Sequence, residues 1–297
     1  MNKGLIYGLG AYLLWGFMPI YWKLLHHVPA LETLAHRTVW SLVFVAAILT
    51  LRRQWQWLRH TLRDYRTLGL FLLIAVLLAF NWGVYIWAVN AGFIVETSLG
   101  YFINPLVNVV LGVLFLQERM RPAQWIAIGL AATGVIYLTV SYGSLPWVAL
   151  SLAFSFAFYG LLKKKVSLRP MDGLFLETAM LALPALIFLL YLGSTGVGAL
   201  GHSDGWTTFL LPFTGIATAL PLLLFAIAAK SVTLSTLGVL QYLAPTIQFM
   251  LGVFVYHEPF SPDRLIGFSF IWMALIVYTL EGIARRRRAR RLQYGLT

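Results

Sequence analysis

The residues with the most chemical capacity in this chain are the few polar ones set inside long apolar runs. Arg37, Glu96 and Glu177 stand in stretches made otherwise of Leu, Val, Ala, Ile and aromatic residues. An ionisable side chain is costly in hydrocarbon and normally faces a cavity or a partner. Arg37 has His36 beside it and Glu32 five residues before it. It can attract an anionic or carboxylate-bearing molecule, or it can snorkel to an interface or pair with Glu32 or Glu96. Glu177 poses a similar choice. A desolvated carboxylate can titrate and carry a proton, or it can bridge to the nearby Lys163, Lys164, Lys165 and Arg169.

The neutral polar residues form rows. Tyr101, Asn104 and Asn108 lie at i, i+3 and i+7, one helical face. Pro105, lacking an N–H, releases the carbonyl of Tyr101. Gln241, Pro245 and Gln248 make a similar row, with Tyr242 alongside. Amides and released carbonyls together make a neutral polar site; the alternative is that they cross-link helices. Asn81 and Tyr85 share a face, and Trp15 with Tyr12 offers an aromatic wall, although aromatic residues also gather in belts at membrane surfaces. Gly112 and Gly252 read as close-packing points, and Glu118 and Glu258 as anchors of turns. No soluble-enzyme constellation is present. The chain has no phosphate-binding glycine loop and no cysteine, and His26, His27 and His36 read as loop or interface residues. Neither an enzyme, a cofactor nor a metal is expected.

These residues need elements to hold them. Of 297 residues, 60% are apolar and 11% charged, far from the balance of a soluble domain. Ten apolar runs are expected as membrane spans: 4–22, 33–51, 68–89, 94–116, 122–140, 145–162, 173–192, 208–229, 234–256 and 263–282. Continuous runs of this kind suit helices, because only an internally bonded backbone is stable in lipid. The first reads as a retained helix and not a leader. The fourth and ninth are the most polar. Segment 51–67, basic and carrying Trp55 and Trp57, is either a short interfacial helix or a solvated loop, and Gly193 to Trp206 reads as the longest external loop.

The net charge of +12 lies in short segments, a topology signal and not a nucleic-acid surface. With the N-terminus in the cytoplasm, nineteen of the 22 Lys and Arg residues fall inside and only Lys23, Arg37 and Arg264 fall outside. That distribution requires an even number of spans and both termini in the cytoplasm, and its basic inner face would meet anionic lipid. Six of the nineteen form a tail, Arg285 to Arg291, within a basic cytoplasmic segment 283–297.

The chain also matches itself. At a shift of 140, Pro105 meets Pro245, Leu111-Gly112-Val113 meets Leu251-Gly252-Val253, Glu118 meets Glu258 and Pro122 meets Pro262. Near the front of each half, Trp15-Gly16 meets Tyr159-Gly160 and Leu31-Glu32-Thr33 meets Leu176-Glu177-Thr178, at shifts of 144 and 145. Two five-helix units, 4–140 and 145–282, are therefore expected. Five is odd, so the second unit enters the membrane from the opposite side. Inverted repeats of this kind recur in transporters, where two similar halves exchange access to a midplane site.

Several tracts carry a family resemblance. They are Tyr12 to Trp15-Gly16 and Pro19, His36-Arg37, Asn81-Trp82 with Trp87 to Asn90, Glu96 to Tyr101 with Asn104-Pro105 and Asn108, Ser235 to Gly238, Gln241-Tyr242 with Pro245, and Glu258. On these the chain resembles the EamA-type permeases of the drug/metabolite transporter superfamily over nearly its whole length. The resemblance implies ten helices, an inner-membrane location and small-molecule transport. The expectation is an all-α polytopic secondary transporter whose substrate and coupling residues come from Trp15, Arg37, Asn81, Tyr85, Tyr101, Asn104, Asn108, Glu177, Gln241 and Gln248. A proton is the candidate coupling ion. The rival readings are a non-transporting structural or signalling bundle, an intramembrane enzyme and a channel.

Because the chain lacks cysteine, single cysteines report topology directly. Thr195→Cys should react with a membrane-impermeant maleimide on intact cells, and His60→Cys only after permeabilisation. The opposite pattern would reverse the orientation.

Overall fold

The computed structural model describes residues 3–90, 94–142, 146–256 and 262–293, and no strand occurs among them. The long helices are α1 (Lys3–Leu24), α2 (Ala30–Leu51), α4 (Tyr65–Asn90), α5 (Ile94–Leu116), α6 (Pro122–Tyr142), α7 (Trp147–Lys165), α8 (Pro170–Ser194), α9 (Gly205–Ser231) and α12 (Pro262–Gln293). A short α3 (Gln56–Thr61) lies in the basic segment 51–67, and α10 (Leu234–Gln241) and α11 (Leu243–Met250) lie between α9 and α12. Eight of these helices are long and apolar enough to cross a bilayer; α7, whose last turn is three lysines, is not one of them. The outer surface explains where the bundle lives. Leu114, Val140, Leu183 and Phe254 are each 66–72% exposed, and contiguous apolar surface of this kind is stable only against lipid. The chain is a multi-pass membrane protein.

Helix starts follow local chemistry. Asp204 caps α9 by accepting from Thr207 N, and its carboxyl is held below the usual range, first by the Thr207 hydroxyl. Asp64 does the same before α4, where the Thr67 hydroxyl lies 2.6 Å from Oδ2. The connection before α9 is shorter than expected, because α8 continues to Ser194.

The expected span 234–256 is not one rod, and this is a correction. It is α10, a break at Tyr242, α11 and a π-helical segment, Leu251–Val255. The cause lies in the spacing of small residues and prolines. Gly100 precedes Pro105 by five positions, whereas Gly238 precedes Pro245 by seven. Two extra residues rotate a helix by more than half a turn, so the 234–256 segment keeps its packing faces by breaking and locally widening. α5 runs unbroken through Pro105.

The helices of residues 3–142 pack chiefly on those of 146–293. α1 lies on α9 and α11, α2 on α8 and α9, α4 on α7 and α8, α5 on α7 and α10, and α6 on α12. Small residues set the closest approaches. A β-carbon at Gly238 would stand 2.7 Å from the Pro105 carbonyl oxygen, so α10 meets α5 backbone to backbone. Gly134 meets the Gly267 carbonyl in the same way where α6 crosses α12.

Buried charges are paired inside the bundle. Lys163 Nζ lies 2.5 Å from Glu177 Oε1, and both side chains are inaccessible. The Tyr159 hydroxyl donates to Glu177 Oε2 at 3.3 Å. Asp172 holds Arg169, with Nε to Oδ2 at 2.7 Å. Glu32 accepts from Ala199 N at 2.5 Å and has His36 Nε2 at 3.7 Å, so it does not pair with Arg37. Glu118 does more than anchor its own turn: it accepts from Leu234 N, Ser235 N and Ser235 Oγ at 2.6–3.0 Å, holding the N-terminus of α10.

Two outcomes follow from this packing. Gly238→Val should cost about 1–3 kcal/mol by overpacking against a carbonyl that cannot move aside, while Gly129→Val, which meets nothing within 4 Å, should leave the melting temperature in detergent unchanged. Lys163→Ala should cost about 3–5 kcal/mol by stranding Glu177, and the apolar pair Lys163→Met with Glu177→Leu should melt higher than that single variant. Equal melting of the single and double variants would contradict the pairing.

Candidate functional site

A cavity of about 190 Å³ opens among α1, α2, α4, α5, α7, α9, α10 and α11. Its walls come from Tyr12, Trp15, Met18, Pro19 and Trp22 on α1, Arg37 on α2, and Asn81, Trp82 and Tyr85 on α4, with Tyr101 on α5 and Phe156 on α7. Ala217 and Leu222 of α9, Gln241 of α10, and Ala244, Pro245 and Gln248 of α11 complete it. Of the ten residues expected from the sequence, seven stand in one wall or another: Trp15, Arg37, Asn81, Tyr85, Tyr101, Gln241 and Gln248. Asn104, Asn108 and Glu177 do not line it.

Arg37 is the only charged side chain among the described lining residues. Its Nε donates to Thr218 Oγ1 on α9 at 2.9 Å. Its guanidinium carbon lies 4.9 Å from the Trp22 ring centre and 4.5 Å from that of Trp82. The cation is thus held by two π faces and one hydroxyl, and no carboxylate among the described residues reaches it. A guanidinium carries five N–H donors, so this arrangement leaves donor capacity beside the cavity. Tyr85 and Tyr101 stand across from each other there, ring centres 6.0 Å apart.

The amides have structural duties as well. Asn81 Nδ2 donates to Leu152 O and Ser155 Oγ, at 3.0 and 2.9 Å, fastening α4 to α7. Gln248 Nε2 donates to the Trp15 carbonyl at 3.0 Å. That carbonyl lacks its usual helical donor because Pro19 stands four residues on. Behind the wall, Asn104 donates to Ala153 O at 2.5 Å, and Asn108 donates to Asn104 Oδ1 and Gln241 Oε1 at 3.0 and 3.1 Å. The row Tyr101, Asn104, Asn108 is therefore divided. Its first member faces the cavity, and the other two tie α5 to α7 and α10.

One end of the cavity rests on an aromatic cluster. Trp15, Phe156, Tyr159 and Phe225 pack with ring centres 5.5–6.0 Å apart, and Tyr12 joins them. Beyond that cluster the bundle is closed by the Lys163–Glu177 pair, by Glu118 on α10, and by Lys164, which donates to the Ala229 and Val232 carbonyls. Glu177 belongs to this closed end. Trp22, Met18, Phe156 and Thr218 are lining or contact residues that sequence reasoning missed. Trp22 reads as an interfacial belt residue from its place near a helix end. Thr218 had a legible signal, since Thr207, Thr214 and Thr218 fall on one face of α9 and all are buried.

The sequence profile of the EamA-like transporter family matches the chain twice, over residues 2–140 and 145–280. The chain is 50% identical over 291 residues to "Protein RarD" of Streptomyces exfoliatus, covering 97% of this chain and 92% of that one. It is 49% identical over 293 residues to "Uncharacterized transporter YojE" of Bacillus subtilis, covering 97% of each. A solved crystal structure shares the fold at a TM-score of 0.73 and 20% identity, covering 96% of this chain and 99% of the other. The chain belongs to the EamA-like transporter family.

Proposed function

We propose that the chain is a secondary active transporter of a small organic molecule in the bacterial inner membrane, working by alternating access between two inverted five-helix repeats. The observation that carries this reading is the cavity, whose walls come from both halves of the chain and behind whose aromatic cluster the Lys163–Glu177 pair is inaccessible. The packing supports the repeats. Exchanging the halves turns α1 on α9 into α7 on α4, α1 on α11 into α7 on α5, and α2 on α9 into α8 on α4, all of which are major contacts. The pairs α2 with α8, α5 with α10 and α6 with α12 map onto themselves. The double match of the family profile, with its boundaries near 140 and 145, points the same way. On this reading the broken α10–α11 segment completes a tenth span and both termini are cytoplasmic, as the distribution of Lys and Arg favours.

The closed end then faces the cytoplasm and the cavity faces outward. Glu177 is the proposed proton carrier. Protonation would release Lys163, and the Tyr159 ring that hydrogen-bonds Glu177 stacks on Phe156, which lines the cavity. A proton at one end thereby reaches the cavity wall through one aromatic contact. A structural or signalling bundle would have no use for an Arg37 that meets no carboxylate among the described residues beside an open space.

Single cysteines test the exchange of access without knowledge of the cargo. Ala217 lines the cavity, whereas Ala229 lies seven residues from Leu222 on the same face of α9, fully buried toward the closed end. Ala217→Cys should react with an impermeant maleimide from outside, and Ala229→Cys from the cytoplasmic side of everted vesicles. Failure of Ala229→Cys to react from either side would remove alternating access. Once comparison of metabolites between expressing and deleted cells names the cargo, an imposed pH gradient should raise its accumulation in proteoliposomes several-fold. Equal accumulation without the gradient would remove the proton.

A further inference from the structure

We infer that the cavity is built for a small, flat organic acid with a single negative charge, its carboxylate on Arg37 and its ring against the aromatic walls. This deepens the transporter reading and rests on it. The charge argument comes first. Among the described lining residues Arg37 is the one ion, and its described partners are a hydroxyl and two indole faces. Neither accepts a proton-bearing edge in the way a carboxylate does, so the fork of N–H donors is kept in reserve for a planar acceptor. A bidentate carboxylate fits that fork in both geometry and charge.

The other ligand classes fit worse. A zwitterion such as an amino acid would bring an ammonium group into a cavity that already holds a cation and offers no carboxylate among its described walls. A dianion would leave one charge uncompensated in a low-dielectric site. A phosphate is usually held by several cations or by a helix N-terminus, and this cavity presents one guanidinium. A neutral molecule could accept one N–H from Arg37 but would bring no charge to meet the guanidinium, so it would gain less from it.

Shape and size narrow the class further. Tyr85 and Tyr101, next to Arg37, can each donate a hydroxyl to a bound oxygen. Trp15, Trp82 and Phe156 present broad ring surfaces, which favour offset stacking or edge contacts with another ring. At about 190 Å³, the space is comparable to the roughly 150 Å³ cavity that holds one benzene ring. That suits a single substituted ring better than a nucleotide or a fused polycycle.

The probes are benzoate, its uncharged isostere benzamide, L-phenylalanine, benzenesulfonate and inorganic phosphate, titrated against the purified full chain in nanodiscs with tryptophan fluorescence and calorimetry. Benzoate should bind at least tenfold more tightly than benzamide or phenylalanine, and phosphate should not compete. Arg37→Gln should remove that preference by weakening benzoate and sparing benzamide, and Arg37→Lys should recover part of it. Benzamide binding as tightly as benzoate, phosphate displacing benzoate, or no benzoate binding at 10 mM would each overturn the pocket. The series on the unaltered protein decides the matter even if Arg37→Gln does not fold. Benzenesulfonate binding in place of benzoate would likewise overturn the carboxylate assignment. Flux into proteoliposomes is read separately. Benzoate bound but not carried supports the pocket and counts against the transporter, and a different cargo carried without benzoate binding does the reverse.

Discussion

A carbonyl released inside a lipid-embedded helix has no water to turn to, and the order of this bundle depends on how such groups are met. Pro19 removes the donor that would serve the Trp15 carbonyl, and Gln248 supplies one from α11 at 3.0 Å. The bond joins the first helix to the broken ninth segment at the place where both enter the cavity wall. The same economy runs along α5. Asn104 reaches a backbone carbonyl of α7, and Asn108 bridges from Asn104 to Gln241 of α10. Apolar packing alone gives weak registration between helices in lipid, because a lipid tail competes as well as a leucine does. These amides supply the registration, and the glycines at 238, 134 and 267 let the backbones come close enough for it.

The two halves use the same positions for different ends. Gln248 meets a released carbonyl, while its counterpart Asn108 is one member of a side-chain chain. Glu32 binds the Ala199 N–H in the connection before α9 and lies near His36, while Glu177 at the matching position is locked to Lys163. On the proposed reading of two repeats, matching positions carry different polar contacts. A cavity formed between such halves is asymmetric: among its described walls the one cation comes from the first half and most of the amides from the second.

The charged residues divide by role along the length of the bundle. Lys163, Glu177, Glu118 and Lys164 hold one end through ion pairs and helix-terminal contacts. Arg37 stands at the other side of the aromatic cluster with no such partner among the described residues. Tyr159 joins the two regions, since its hydroxyl touches Glu177 and its ring touches Phe156.

Much was legible in the residues themselves. The long apolar runs became helices because a backbone in hydrocarbon must bond within itself, and the repeat was visible as matched prolines, glycines and glutamates. Seven of ten expected site residues share one cavity because polar residues in apolar runs have few other places to go. Other features were decided only in three dimensions. The break at Tyr242 depends on a two-residue difference in spacing that matters only once α10 must meet both Pro105 and Glu118. The environment of Arg37 depends on Trp22, Trp82 and Thr218, and Thr218 lies 181 positions away. Whether Glu177 faces a cavity or a lysine was open in the sequence, because both partners lay within reach. Residue type and spacing therefore determined the helices, whose bonds are local. The tertiary structure alone decided which buried charge found a partner, because that depends on which distant helix arrives beside it.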